Sequence, residues 1–273
     1  MRKLLLQTLF AFTFVSLLAA AVPMHAQLSG VSMFKNIAYA QTSGSAPTTP
    51  VAYFAGPGAN SYNPGDFTSV VVTYPGPGSP LSLPQTGPTS FGYAPLFPDQ
   101  ASMDAAFPFG TYNFAATGNL TQNAFFAYSV DAYTSNIPAI TAATFAALPG
   151  LDPSKAFTWN FNAFTPNSNA AFGNTYLTVF GSSFGAGYSN TTTSVTMAAN
   201  TLLPNTTYTW ELDFSDRIPA YDSTDGVWST LGFDVRTDGS FTTGAAVPEP
   251  ASMTLLALGL GGAALSRRRA KQI

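Results

Sequence analysis

The side chains best able to do chemistry in this 273-residue chain are its carboxylates, and seven of its thirteen acids fall within 28 residues: Glu211, Asp213, Asp216, Asp222, Asp225, Asp234 and Asp238. Hard cations take several oxygen ligands, so Asp216, Asp222 and Asp225, with the carbonyl beside Gly226, form a candidate calcium set, although their spacing is not that of an EF-hand. A solvated, turn-forming loop is the competing and favoured reading. Glu211 and Asp213 raise a second chemistry, since paired carboxylates hydrolyse glycosides without histidine. Two residues apart on a strand, they would sit roughly 6–7 Å apart, between the ranges of the two mechanisms, and plain solvent-facing alternation is favoured. Gly181-Ser182-Ser183-Phe184-Gly185 fits the pattern of a nucleophile elbow, but no His follows Ser183 to take its proton. A Gly/Ser hairpin is expected there instead.

What is missing narrows the chemistry further. There is no Cys, and the single His, His25, lies near the N-terminus. Disulfides, thiolate catalysis and Cys-based zinc sites are thereby excluded. The chain is expected not to be an enzyme and to need no cofactor, calcium apart. Charged residues make up 8% of the sequence against 46% hydrophobic, and the interval 27–247 carries twelve acids against four cations, Lys35, Lys155, Arg217 and Arg236. A body near −8 with no basic cluster cannot neutralise a run of phosphates, so nucleic acid is not an expected partner.

The two ends differ from the body. Met1-Arg2-Lys3 followed by an uncharged run from Leu4 to Val22 has the basic and apolar regions of a secretory signal, which implies passage through a secretion translocon. Small-residue cleavage sites lie after Ala21, Ala26 and Ala40; Ala26 is favoured, making 1–26 the signal peptide. At the other end, Pro248-Glu249-Pro250 forms an extended segment, because proline fixes its own φ and disfavours helix in the residue before it. An uncharged run from Ala251 to Ser266 follows, about 24 Å long if helical and marginally short of a hydrocarbon core of about 30 Å. Arg267, Arg268 and Arg269 then form a cytoplasmic retention cluster by the positive-inside bias.

This order of Pro-Glu-Pro, apolar helix and arginines over 247–271 resembles the PEP-CTERM sorting signal, also labelled an ice-binding protein C-terminal domain. The resemblance implies export across the inner membrane of a diderm bacterium, anchoring through the tail helix, and recognition and removal of the tail by an exosortase. Pro248, Glu249 and Pro250 would be its recognition residues. It also implies a final location at the cell surface or in the extracellular matrix, with exopolysaccharide as an associated partner in biofilm. Thr191-Thr192-Thr193 alone lacks the repeated array that ice affinity would require.

The elements that must position any site read as strands. Asp66–Tyr74 has the β-branched and aromatic content of a strand, and further candidates are Gly110–Ala116, Ala124–Tyr133, Ala156–Phe164, Thr175–Phe180, Thr192–Met197, Thr207–Phe214 and Ser229–Arg236. Ile140–Leu148 has weak helical content. In Tyr208-Thr209-Trp210-Glu211-Leu212-Asp213-Phe214 apolar and polar residues alternate, the mark of a half-buried antiparallel strand. Leu203-Pro204 leading into Thr207-Tyr208 resembles the tyrosine corner of fibronectin III and immunoglobulin-like sandwiches. That resemblance implies Tyr208 at the corner and Trp159 on an early core strand. The expected class is all-β, an antiparallel sandwich over 137–243 with hydrophobic helices at the termini. A flexible leader over 27–50 and a less regular β region over 51–136 would precede it, the latter either a separate domain or a contributor to the same sheets. A carbohydrate- or calcium-binding β module is the alternative function, and a glycoside-active enzyme a more distant one.

Overall fold

The computed structural model describes residues 27–245. Period-two alternation of apolar residues produces long strands in its two halves alike. In the first half run β1 (Leu28–Ala40), β2 (Pro50–Ser61), β3 (Phe67–Thr73), β4 (Leu81–Leu83), β5 (Gln85–Gly87), β6 (Ser90–Gly92), β7 (Leu96–Phe97), helix α1 (Gln100–Ala106), β8 (Gly110–Gly118) and β9 (Thr121–Tyr128). The second half holds helix α2 (Ala142–Ala147), β10 (Phe157–Asn160), β11 (Phe172–Phe180), β12 (Gly185–Ser189), β13 (Ser194–Met197), β14 (Thr207–Asp222) and β15 (Val227–Thr242).

One nine-stranded sheet runs β12-β11-β14-β15-β1-β2-β6-β5, with β7 also paired to β2. A four-stranded sheet, β4-β3-β8-β9, and a two-stranded one, β10-β13, supply the opposing layer. Each opposing sheet closes its own core against the large one. Val31 and Met33 of β1 and Phe233 of β15 pack with Val70, Val72, Tyr112, Phe114 and Phe126. Trp210, Leu212 and Phe214 of β14 pack with Trp159, Phe161 and Met197. This is a β-sandwich, antiparallel except where β1 lies parallel to β15, from Val31 beside Ser229 to Ala40 beside Asp238.

The leader expected over 27–50 is replaced by β1, a central strand flanked by β15 and β2, and only 41–49 lacks regular structure. The expected boundary at 136/137 does not follow the sheets, since β1 and β2 on one side of it share a sheet with β11, β14 and β15 on the other. The corner forms as the sequence suggested: the Leu203 N–H donates to the Tyr208 hydroxyl at 2.9 Å. Trp159 is fully buried on β10, 6.0 Å from the Trp210 ring and 5.9 Å from Phe241. The terminal helices expected on either side lie outside the described residues. Among the described residues, no helix is long and apolar enough to cross a membrane.

Candidate functional site

Alternation along β14 turns Tyr208, Trp210, Leu212, Phe214 and Asp216 into the sandwich, and Glu211, Asp213, Ser215 and Arg217 onto the outer face of the large sheet. Antiparallel register then sets Glu211 beside Asp238, Asp213 beside Arg236 and Ser215 beside Asp234. Four carboxylates and two guanidinium groups meet in the middle of that face. Arg236 Nη1 donates to Glu211 Oε2 at 2.9 Å and its Nη2 lies 3.4 Å from Asp238 Oδ2. Arg217 Nη1 and the Ser215 hydroxyl both donate to Asp234 Oδ1, at 2.5 and 2.7 Å. Each arginine also lies over an aromatic ring from the next strand but one, Arg217 over Phe34 at 5.0 Å and Arg236 over Phe54 at 4.8 Å.

The cations do not offset the burial of the acids. Desolvation raises the Glu211 carboxyl above its ordinary range; Arg236 opposes this, while Asp238 and Asp234 add to it. Burial does the same to Asp238. Asp213 is pushed furthest, by desolvation first and by the charge of Asp234 second, and its Oδ1 is shut from solvent without a hydrogen-bond partner. Beside this cluster a groove of about 730 Å³ opens over Glu211, Arg236 and Asp238, with Phe145, Phe180 and Gln41 on its walls. On the adjoining strand β11, Phe172, Tyr176 and Phe180 point outward and are 47%, 37% and 50% exposed. Four residues apart on a strand, they repeat about every 13 Å. Glycine at position 187 of the edge strand leaves room for the Tyr176 ring, which lies 2.7 Å from where a Cβ would be.

The candidate calcium set does not converge. Asp216 points into the sandwich, fully buried, with Oδ2 accepting from the Asn167 N–H at 3.1 Å, whereas Asp222 and Asp225 belong to the β14–β15 hairpin some 20 Å further along the strand. Asp222 serves that turn: its Oδ1 accepts from the Thr224 and Asp225 N–H groups, and Gly226 at φ 70° closes the turn onto its carbonyl. Among the described residues, no group of three or more acids or histidines is arranged to hold a metal ion. Gly181–Gly185 forms the β11–β12 hairpin, with Gly181 at φ 82°. Glu211 and Asp213 do share the outer face, but both are partly covered rather than freely solvated, and of the two only Glu211 is paired with an arginine, Arg236. Pro248, Glu249, Pro250 and Arg267–Arg269 lie outside the described residues.

Sequence reasoning passed over one group altogether. Lys35, on β1, points into the sandwich and is 1% exposed, although Val31, Met33 and Ile37 on the same face are ordinary core residues. A lone cation inside an alternating apolar series was the available signal.

The sheets define an all-β sandwich protein, whose last strand, β15, ends at Thr242. The tail beyond it, residues 246–269, matches the model of the PEP-CTERM protein-sorting motif, so the chain carries an exosortase sorting signal, and it is exported and membrane-anchored before processing. No curated protein matches the chain. Among solved structures, the FN1-FN3 domains of chicken CNTN1 are similar over 77% of this chain and 68% of theirs, with 13% identity and a TM-score of 0.26. The BSP domain of a biofilm associated protein is similar over 81% of this chain and 29% of its own, with 11% identity and a TM-score of 0.20. At those scores the fold assignment rests on the sheets themselves.

Proposed function

We propose that this is a non-catalytic protein of the cell surface or extracellular matrix, which exosortase releases from its tail and which the outer face of the large sheet holds in exopolysaccharide. The observation that carries the reading is the sorting motif, which begins at residue 246 when β15 has ended at Thr242. Such a tail delivers the whole sandwich outward. The exposed rings of Phe172, Tyr176 and Phe180 support the second half of the reading, because an aromatic face offers apolar area that the C–H groups of a pyranose can cover. Polar groups beside them, Glu211, Arg236 and Asp238, can bond to sugar hydroxyls along the groove.

The test is co-sedimentation of the processed protein with polysaccharide from the producing cells. Tyr176→Ala and Phe180→Ala together are expected to lower retention at least about tenfold, as two lost stacking contacts of about a kcal/mol each require. Unchanged retention would remove this face from the binding role. A second reading, glycoside hydrolysis, has in its favour the groove and the burial-raised Glu211 with Asp238 across the strands. Turnover of that polysaccharide, lost in Glu211→Gln, would establish hydrolysis and end the non-catalytic reading.

A further inference from the structure

Lysine is rarely buried unless it is paired, and Lys35 is paired in an unusual setting. It sits mid-strand on β1 between Phe233 of β15 and Ala55 of β2. Its Nζ lies 2.6 Å from Asp104 Oδ1 of helix α1, 3.9 Å from Asp131 Oδ1 and 4.8 Å above the centre of the Tyr128 ring. The Tyr128 hydroxyl in turn donates to Asp131 Oδ1. Burial, with the hydrogen bond to Asp131 second, raises the Tyr128 phenol far above its ordinary range, so it remains a donor. A small cavity of about 190 Å³ adjoins the group, walled by these four side chains with Pro108 and Phe109.

An ion pair in such a place is expensive, because removing two charges from water costs more than their attraction commonly returns. Condensation would abolish both charges at once. With Nζ on one carboxylate oxygen, the carbon it would attack is about 3.5 Å away, the separation of a near-attack arrangement. We propose that Lys35 and Asp104 form an intramolecular isopeptide bond, with Asp131 moving the protons.

Lys35 first gives one ammonium proton to Asp131. Its free amine then attacks Cγ of Asp104, forming the C–N bond. One Asp104 oxygen leaves as water, carrying the proton returned by Asp131 and a second one from nitrogen. The amide nitrogen keeps one hydrogen, Asp131 ends as it began, the opposite charges of the pair have cancelled, and no other reactant is consumed. Asp104 and Asp131, 38% and 31% exposed, lie on the side from which water can depart. Tyr128 holds Asp131 in place and is a positioning residue. The bond would tie the central strand of the large sheet to α1, 69 residues away in sequence, in a chain that has no cysteine with which to do so.

The experiment is mass spectrometry of the full chain purified from its cells and denatured, with peptide mapping after cleavage at aromatic residues. The wild-type protein is expected to be one water lighter than its sequence between the mapped ends, and to yield a branched peptide joining Lys35 to Asp104. Lys35→Arg and Asp104→Ala are expected at full mass. Asp131→Asn leaves both reacting groups in place and is expected to lower the linked fraction at least about tenfold, since acid–base assistance contributes 10²–10⁴ in rate. If these variants do not fold, the wild-type map decides alone. Unlinked Lys35 and Asp104 peptides accounting for all of the wild-type chain would overturn the bond, and linkage in Asp131→Asn at the wild-type rate would overturn the role of Asp131.

Discussion

Replacing Asp216 by Asn should make this protein more stable at neutral pH and flatten the dependence of its stability on pH. Asp216 is fully buried on the inner face of β14, opposite Phe233, with one oxygen accepting from Asn167 and the other unpartnered. Desolvation raises its carboxyl from an ordinary 3.8 to about 6, against the smaller opposing effects of the Asn167 N–H and Arg217. Because the folded-state value lies above the unfolded one, the folded chain holds this proton more tightly. The resulting stability is fully present below about pH 4 and is lost as pH rises through about 6. A shift of about two units corresponds to about 3 kcal/mol, or about 6–12 °C in Tm for a domain of this size. Asn keeps the acceptor for Asn167 and puts an amide where an oxygen already lacked a partner, so the neutral side chain escapes the ionisation penalty. Scanning calorimetry of both proteins from pH 4 to 8 should show the variant gaining on the wild type across pH 4–7 and levelling off above. Asp213, Glu211 and Asp238 titrate in both proteins and cancel in the difference. Parallel Tm curves would refute the assignment of this burial penalty to Asp216.

Tyr208→Phe should cost about 1–3 kcal/mol in urea unfolding, because the Leu203 N–H loses its acceptor at the corner. Trp159→Ala, which opens a cavity among Trp210, Phe241 and Phe157, should cost about 3–5 kcal/mol or prevent folding, read by the same transition. N-terminal sequencing of the exported protein should find its first residue at or before Gln27, since a cut after Ala40 would remove β1 entirely. Added Ca²⁺ should leave the melting temperature unchanged in wild type and in Asp222→Ala alike, because Asp222 is engaged with its own turn.

The strands legible in the sequence were those with clean alternation or dense β-branched content. Thr207–Phe214 shows its buried face residue by residue, and Phe67–Thr73 was marked by Val70, Val71 and Val72 despite an irregularity between Phe67 and Ser69. Strand β1 was hidden by Lys35, which interrupts its apolar face, and by its place just after a signal-like segment. In β2 the Gly56-Pro57-Gly58 triplet reads as a turn, yet it pairs along Phe34, Met33 and Ser32. Glycine is needed at 56 because the Tyr93 carbonyl crosses there, 1.5 Å from the place a Cβ would take. The acids of β14 announced a polar face, but the partners that half-bury them, Arg217, Arg236, Phe34 and Phe54, come from four strands and only register brings them together. The same holds for Lys35, whose neighbours at 104, 128 and 131 belong to a helix, the end of a strand and the segment after it.

The parallel seam between the first strand and the last bears on the order of events in secretion. For a chain threaded N-terminus first, Val31–Ala40 emerges early but lacks one of its two neighbours until Ser229–Asp238 has crossed as well. Contacts of such long range form late. Closure of the large sheet therefore waits for the stretch directly ahead of the sorting tail, so completion of the body depends on the same segment that leads into the tail.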